Sequence, residues 1–221
     1  MKAKSITAFL ALFLAYCNNY GLKEKFDAPD GDRILPFIFV TSLLTAGNLS
    51  TLSCGNISSP LDRADCSCTE LAKSNGILQT TTSKFVAWLS DSGNDMTCRI
   101  RGIAGTGCSN TGGNPWYNTN SELVANSYQD LFDSAIPAAV SYNEKKAKVG
   151  ANLTWTGTNA DGTRASGATA SAYCNDWTSN SAGQTAVLGL VGATNSRWSN
   201  NNNQTAGCNS VFPIICIAQQ Q

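Results

Sequence analysis

Trp155-Thr156-Gly157, Asp161-Gly162, Tyr173-Cys174, Trp177, Gly183-Gln184, Trp198, Cys208 and the closing run Val211-Phe212-Pro213-Ile214-Ile215-Cys216-Ile217 punctuate one continuous stretch. Glycines, tryptophans and cysteines alternate there with short polar turns. That is the pattern of a small, cross-linked, mostly antiparallel β unit. The closing run is apolar throughout and too short for a helix, so it reads as a central strand buried on both faces. Pro213 withholds a backbone donor, which predicts a bulge or an edge beside it.

Upstream of this stretch, Ile34 to Thr41 is a first strand candidate, rich in Ile, Phe and Val. Ser59-Pro60 offers an N-cap and a proline at the first helical position. Leu61, Ala64, Cys68, Leu71 and Ala72 then fall on one helical stripe, and Asn75-Gly76 ends the helix with a left-handed cap. Phe85 to Leu89 is the next strand. Asp95 to Asn120 carries Gly105, Gly107, Gly112, Gly113 and Pro115 and reads as a long surface loop. Leu123, Val124, Tyr128, Leu131 and Phe132 fit the apolar face of a second helix. Ala138 to Val149 reads as a solvated connection in which Lys145, Lys146 and Lys148, beside Glu144, form no basic patch. No internal repeat is visible, and Asn200 to Asn203 is a short biased loop.

A chain of 221 residues suits one domain with a leader and a tether. Lys2 and Lys4 precede the apolar segment Ile6 to Tyr16, so residues 1–16 read as an export signal, too short to span a bilayer comfortably. A buried N-terminal helix is the alternative. Leu14-Ala15-Tyr16-Cys17 resembles a bacterial lipobox, in which Cys17 is lipidated; Tyr16 stands where the motif usually has a small residue. Residues 17–33 form the lipidated N-terminus and a polar tether, and 34–221 the folded domain. Without the leader, 13 Lys and Arg face 15 Asp and Glu, leaving no electrostatic footprint for nucleic acid. Nine cysteines are an odd set for an exported chain; lipidation of Cys17 leaves eight, which reads as four disulfides. A zinc site is the rival, but Cys66-x-Cys68 is tighter than the usual ligand spacing and the chain has no histidine.

The order Trp155-x-Gly157, Gly162-x-Arg164, Tyr173-Cys174-x-x-Trp177, Gly183-Gln184 and Cys208…Cys216-Ile217 resembles the C-terminal half of endostatin, a domain with a C-type-lectin-like fold. It is more similar still to the leptospiral endostatin-like surface lipoproteins. Gly47-Asn48-Leu49, Ala64-Asp65, Cys68, Gly76, Ala87-Trp88-Leu89-Ser90 and Ser127 to Phe132 extend the resemblance to about Phe37 to Ile217. Insertions fall near Cys54 and between Cys98 and Trp116, and four extra residues lie between Gly76 and Trp88.

The resemblance implies an α+β, C-type-lectin-like domain: two helices flanking short antiparallel sheets, stapled by disulfides. It implies the pairs Cys68–Cys216 and Cys174–Cys208. Proximity adds Cys98–Cys108 and Cys54–Cys66, among the 105 pairings that eight cysteines allow. It implies a non-catalytic, monomeric lipoprotein, lipid-anchored and exposed at the outer membrane. Such a protein binds host matrix proteins, laminin and fibronectin, and the complement regulator factor H. A lectin-like carbohydrate binder and a structural envelope protein are the alternatives.

The residues weigh the other chemistries. Without histidine, no Ser-His, Cys-His or His-rich metal arrangement exists. Asp161, Asp176 and Glu122 remain a formal carboxylate set for glycoside hydrolysis. No Glu-Pro-Asn or Gln-Pro-Asp triplet marks a lectin calcium loop, and Asn114-Pro115-Trp116 is a faint echo of one. No cofactor or metal is expected. Endostatin's polyanion affinity relies on clustered arginines, whereas Arg63, Arg99, Arg101, Arg164 and Arg197 are scattered along this chain. Trp88, Trp155 and Trp177 read as core plates. Trp116-Tyr117 and Trp198, with Asn200 and Asn201, lie in Gly- and Asn-rich segments and read as aromatic anchors of a protein-binding surface.

Overall fold

The computed structural model describes residues 36–77, 84–165 and 172–220. The leader, Cys17 and the tether lie outside the described residues. In chain order the strands are β1 (Phe37–Thr45), β2 (Phe85–Ala87), β3 (Trp116–Asn118), β4 (Leu123–Ala125), β5 (Leu153–Trp155), β6 (Thr185–Leu190), β7 (Thr205–Gly207) and β8 (Phe212–Ala218). The helices are α1 (Pro60–Ser74), α2 (Met96–Arg99) and α3 (Tyr128–Phe132). The architecture is α+β. No helix among the described residues is long and apolar enough to cross a membrane.

Strand β8 is the axis of the sheet. It pairs antiparallel with β1 along one edge; along the other it pairs with β2 and, at Ile214, with β5. The order is β4-β3-β1-β8-β5-β6-β7, with β2 paired to β8 off this path. The β1–β3 and β5–β8 pairs are parallel and the other strand pairs among the described residues antiparallel, so the sheet is mostly antiparallel, as its sequence pattern predicts. Alternation sorts the two faces. Phe39, Ile214, Cys216, Phe85 and Ala87 join one core cluster, under α1; Ile38, Val40, Ile215, Ile217 and Val86 join the other, under α3. A run buried on both faces must be apolar at every position, which is why Ile214 to Ile217 reads as it does.

Pro213 sits inside β8, and the register of β1 shifts between Val40 and Leu44 opposite it. The irregularity is satisfied by Thr41, whose Oγ1 accepts from Ile214 N (3.2 Å) and donates to Leu43 O (2.8 Å). Thr154 Oγ1 donates to Pro213 O (2.8 Å). The bulge therefore leaves these buried groups paired.

Helix α1 begins as its sequence requires. Ser59 accepts from Asp62 N, Pro60 occupies the first turn, and Gly76 (φ +67°) closes the C-terminal end. Leu61, Ala64, Cys68 and Ala72 are buried against the sheet. Helix α3 is shorter than its apolar pattern suggests. Leu123 and Val124 belong to β4, which turns back on β3, because the β3–β4 hairpin claims them for the sheet. Asp95 to Asn120 is likewise no plain loop: α2 is buried within it and Trp116 to Asn118 form β3.

Four disulfides join Cys54 to Cys66, Cys68 to Cys216, Cys98 to Cys108 and Cys174 to Cys208, with Cα separations of 5.1–6.0 Å. Gly47 lies against the last of them. A Cβ there would stand 2.4 Å from Cys174 Sγ, so only glycine lets the backbone approach. Cys174 to Trp177 form a single left-handed turn with φ between 50° and 62°, a conformation disfavoured by about 1–2 kcal/mol per residue. Neighbouring contacts hold it. Ser92 N and Oγ donate to Asp176 (2.9 and 2.8 Å), and Trp177 Nε1 donates to Ser90 O (2.9 Å).

Candidate functional site

The site is built on the outer edge of β2. Its inner edge is taken by β8, so Phe85 and Ala87 turn their other backbone groups toward α1. Phe85 N donates to Thr69 Oγ1 (3.1 Å), which in turn lies 3.2 Å from Phe85 O. Ala87 N donates to Asp65 Oδ1 (2.8 Å). The match is geometric: four helical residues rise about 6 Å and two strand residues about 6.7 Å. Side chains four apart on a helix thus meet backbone groups two apart on a strand. An edge that would otherwise invite another strand is closed.

Arg99, from α2, completes the seam. Its Nη2 donates to Asp65 Oδ1 (2.5 Å), and its Nη1 donates to Ala87 O (2.8 Å) and to Leu89 O. The Arg99 side chain is 8% exposed and that of Asp65 23%. Burial pushes the Asp65 carboxyl above its usual range, while Arg99 and the Ala87 N–H pull against it. The sequence reading missed this group. Asp65 and Thr69 flank the apolar stripe of α1 at helical spacing, but nothing local says which strand they face.

Beside the seam lies a groove of about 780 Å³ between α1, β2 and the segment from Asp91 to Ala104. Asp62 and Glu70 line one wall, Asp91 and Asn94 the other, with Lys84 and Ile103 also in the lining. Beyond it runs a largely exposed loop, 102–114, which is nonetheless tied down. Asp95 Oδ2 accepts from Gly107 N and Asn94 Oδ1 from Gly105 N, both at 2.9 Å, and Cys98–Cys108 closes the base. The Arg101 guanidinium lies 3.9 Å from the centre of the Tyr128 ring. Gly113 (φ +89°) passes over that ring, where a Cβ would sit 2.6 Å from it.

The aromatic anchors expected from sequence are not at the surface. Trp116 is fully buried in β3, and its Nε1 donates to Ala218 O (3.0 Å). Tyr117 is half-buried and its N–H donates to Pro36 O. Trp198 is 1% exposed, with its ring 4.4 Å from that of Trp88. Sheet pairing and ring-on-ring packing, invisible in the flanking Gly and Asn residues, draw both indoles inward. Asn200 and Asn201 shape the turn that follows. Asn200 Oδ1 accepts from Asn203 N and its Nδ2 donates to Asn159 Oδ1 (3.0 Å); Asn201 Oδ1 accepts from Arg197 Nε (2.7 Å). Asn202 and Asn203 take positive φ, which asparagine tolerates.

The formal catalytic carboxylates are each engaged apart from one another. Asp161 accepts from Thr163, Asp176 from Ser92 and Glu122 from Asn118. The arginines are not gathered either. Arg63 donates to Leu52 O, Arg101 to Thr111 O and Arg164 to Ser92 O, so each holds a different backbone carbonyl. Glu144 is buried and accepts from Ser42 N (2.9 Å) and Ser42 Oγ, turned away from the exposed lysines beside it. No protein-family model matches the chain, and no curated protein sequence matches it.

Proposed function

We propose that this chain is an exported bacterial lipoprotein carrying an endostatin-like domain of the C-type-lectin-like kind. Anchored through Cys17, it binds host matrix proteins such as laminin and fibronectin, and the complement regulator factor H. The observation that carries the reading is the disulfide set. Four bridges, two of them the pairs the resemblance implies, occur in a chain whose leader reads as an export signal. Disulfides persist in oxidising, extracytoplasmic compartments. The carboxylates Asp161, Asp176 and Glu122 and the arginines Arg63, Arg101 and Arg164 are engaged in holding loops, which favours a recognition surface. With Trp116 and Trp198 buried, that surface is the groove and the loop 102–114.

The test has two arms. Cys17→Ala is expected to move the protein from the detergent phase to the aqueous phase; unchanged partitioning rules out the anchor. On intact cells, external protease is expected to remove the domain, and the purified chain is expected to bind immobilised laminin, fibronectin or factor H without calcium. A protected domain points to an internal envelope role, and calcium-dependent capture by glycans to a lectin.

A further inference from the structure

We propose that the groove beside the Asp65–Arg99 pair receives an extended segment of a partner protein in which lysine or arginine side chains alternate with apolar ones. The inference rests on the protein-binding reading above and specifies the chemistry of the partner.

Charge is the first ground. Asp65 and Arg99 offset each other within the seam, and Arg99 cannot swing out, because its guanidinium also holds Ala87 O and Leu89 O. That leaves Asp62, Glu70 and Asp91 in the lining against Lys84. Glu70 also lies 3.9 Å from Lys73 one turn along α1, but both side chains are exposed, and so weak a pair yields to a partner cation. The carboxylates stand on both walls. Asp62 and Glu70 are separated by two turns of α1, about 12 Å along its axis, which an extended peptide covers in about four residues. Asp91 is held in place, since its Oδ1 accepts from Gly93 N and Asn94 Nδ2, both at 2.9 Å. A partner cation therefore meets an acceptor that loses little freedom on binding.

The apolar component comes from Ile103, a large aliphatic side chain left 51% exposed in the groove lining. An aliphatic stem or a leucine beside the bound cation would cover it. The mode of contact follows from the seam. The outward N–H and C=O groups of β2 are already satisfied by Thr69, Asp65 and Arg99, so the partner is not added as a strand. It is read through its side chains.

The experiment uses the full chain and two fluorescent peptides of equal length. One alternates lysine with leucine; the other carries glutamate in place of lysine. Binding is followed by anisotropy for the parent, for Asp62→Lys with Glu70→Lys, and for Ile103→Ser, each checked by circular dichroism. Both acidic positions lie on the exposed side of α1, so the fold is expected to persist. The parent is expected to bind the lysine peptide and not the glutamate one. Affinity should weaken by about tenfold between about 50 and 300 mM salt and by a similar factor in the charge-reversed variant. Ile103→Ser should weaken it at every salt concentration. Equal binding of both peptides, no binding of the lysine peptide, or equal binding by parent and charge-reversed variant overturns the proposal. The same variants on immobilised laminin and fibronectin separate the two readings. If parent and variant bind matrix protein equally, the groove is wrong and the adhesin reading stands. If the parent binds the lysine peptide but no matrix protein, the adhesin reading fails and the groove stands.

Discussion

Arg99 is a residue whose loss the fold should feel strongly. It neutralises a carboxylate that burial already disfavours and holds two carbonyls of the segment leaving β2. Arg99→Met would leave the largely buried Asp65 carboxylate with the Ala87 N–H but no counter-charge, and removing one member of a buried pair costs about 3–5 kcal/mol. Urea unfolding should show that loss, and Asp65→Asn in the Arg99→Met background should recover part of it. A loss below about 1 kcal/mol would mean that the pair behaves as a solvent-screened one. Tyr173 gives a pH signature. Its ring is fully buried, its hydroxyl donates to Ala165 O, and burial pushes its pKa up to about 12, with Arg164 pulling the other way and Asp95, Asp176 and Asp91 adding to the rise. The folded chain thus holds the phenolic proton more tightly than the unfolded chain, whose tyrosines titrate near 10. This contribution to stability is present in full below about pH 10 and is lost as pH rises toward about 12. Tyr173→Phe should flatten the alkaline limb of a stability–pH curve over that interval. Parallel curves for parent and variant would contradict the assignment.

Among the elements, the β1–β8 pair shows how a proline is accommodated in a central strand. Pro213 withholds one donor and the ladder slips, leaving Ile214 N–H to find another acceptor in Thr41 Oγ1. Thr41→Val preserves the shape and removes that acceptor, so it should destabilise by about 1–3 kcal/mol, the range for a buried donor left unpaired. Thr41→Ser, which keeps the hydroxyl, should recover most of the loss in the same denaturant titration. Equal losses for the two would mean that keeping the hydroxyl does not protect the fold, and would contradict the assignment. Helix α1 works at the same scale in three directions. Its buried stripe packs on the sheet, its flank of Asp65 and Thr69 closes the edge of β2, and Asp62 and Glu70 face the groove.

For the whole molecule, the long bridge Cys68–Cys216 ties α1 to the axial strand across 148 residues, whereas Cys98–Cys108 closes a separation of 10. Chain entropy assigns the first about 5 kcal/mol and the second about 3 kcal/mol. Replacing each pair by alanine should therefore lower the thermal midpoint more for Cys68 and Cys216; the reverse order would show that native-state contacts outweigh loop closure. Much of this architecture was legible locally. The all-apolar run before Ala218, the Ser59-Pro60 start, the Asn75-Gly76 stop and the proline irregularity each report chemistry confined to a few neighbouring residues. The buried roles of Trp88, Trp155 and Trp177 followed from their apolar or cysteine-bearing surroundings. The positions of Trp116, Trp198, Arg99 and Glu144 did not, because their partners Ala218, Trp88, Asp65 and Ser42 stand 102, 110, 34 and 102 residues away. Local composition determined where strands, caps and turns fall. Only the tertiary structure decided which aromatics are buried, which charges are neutralised and which carboxylates are left to line a groove, since those outcomes depend on contacts that arise when distant segments pack together.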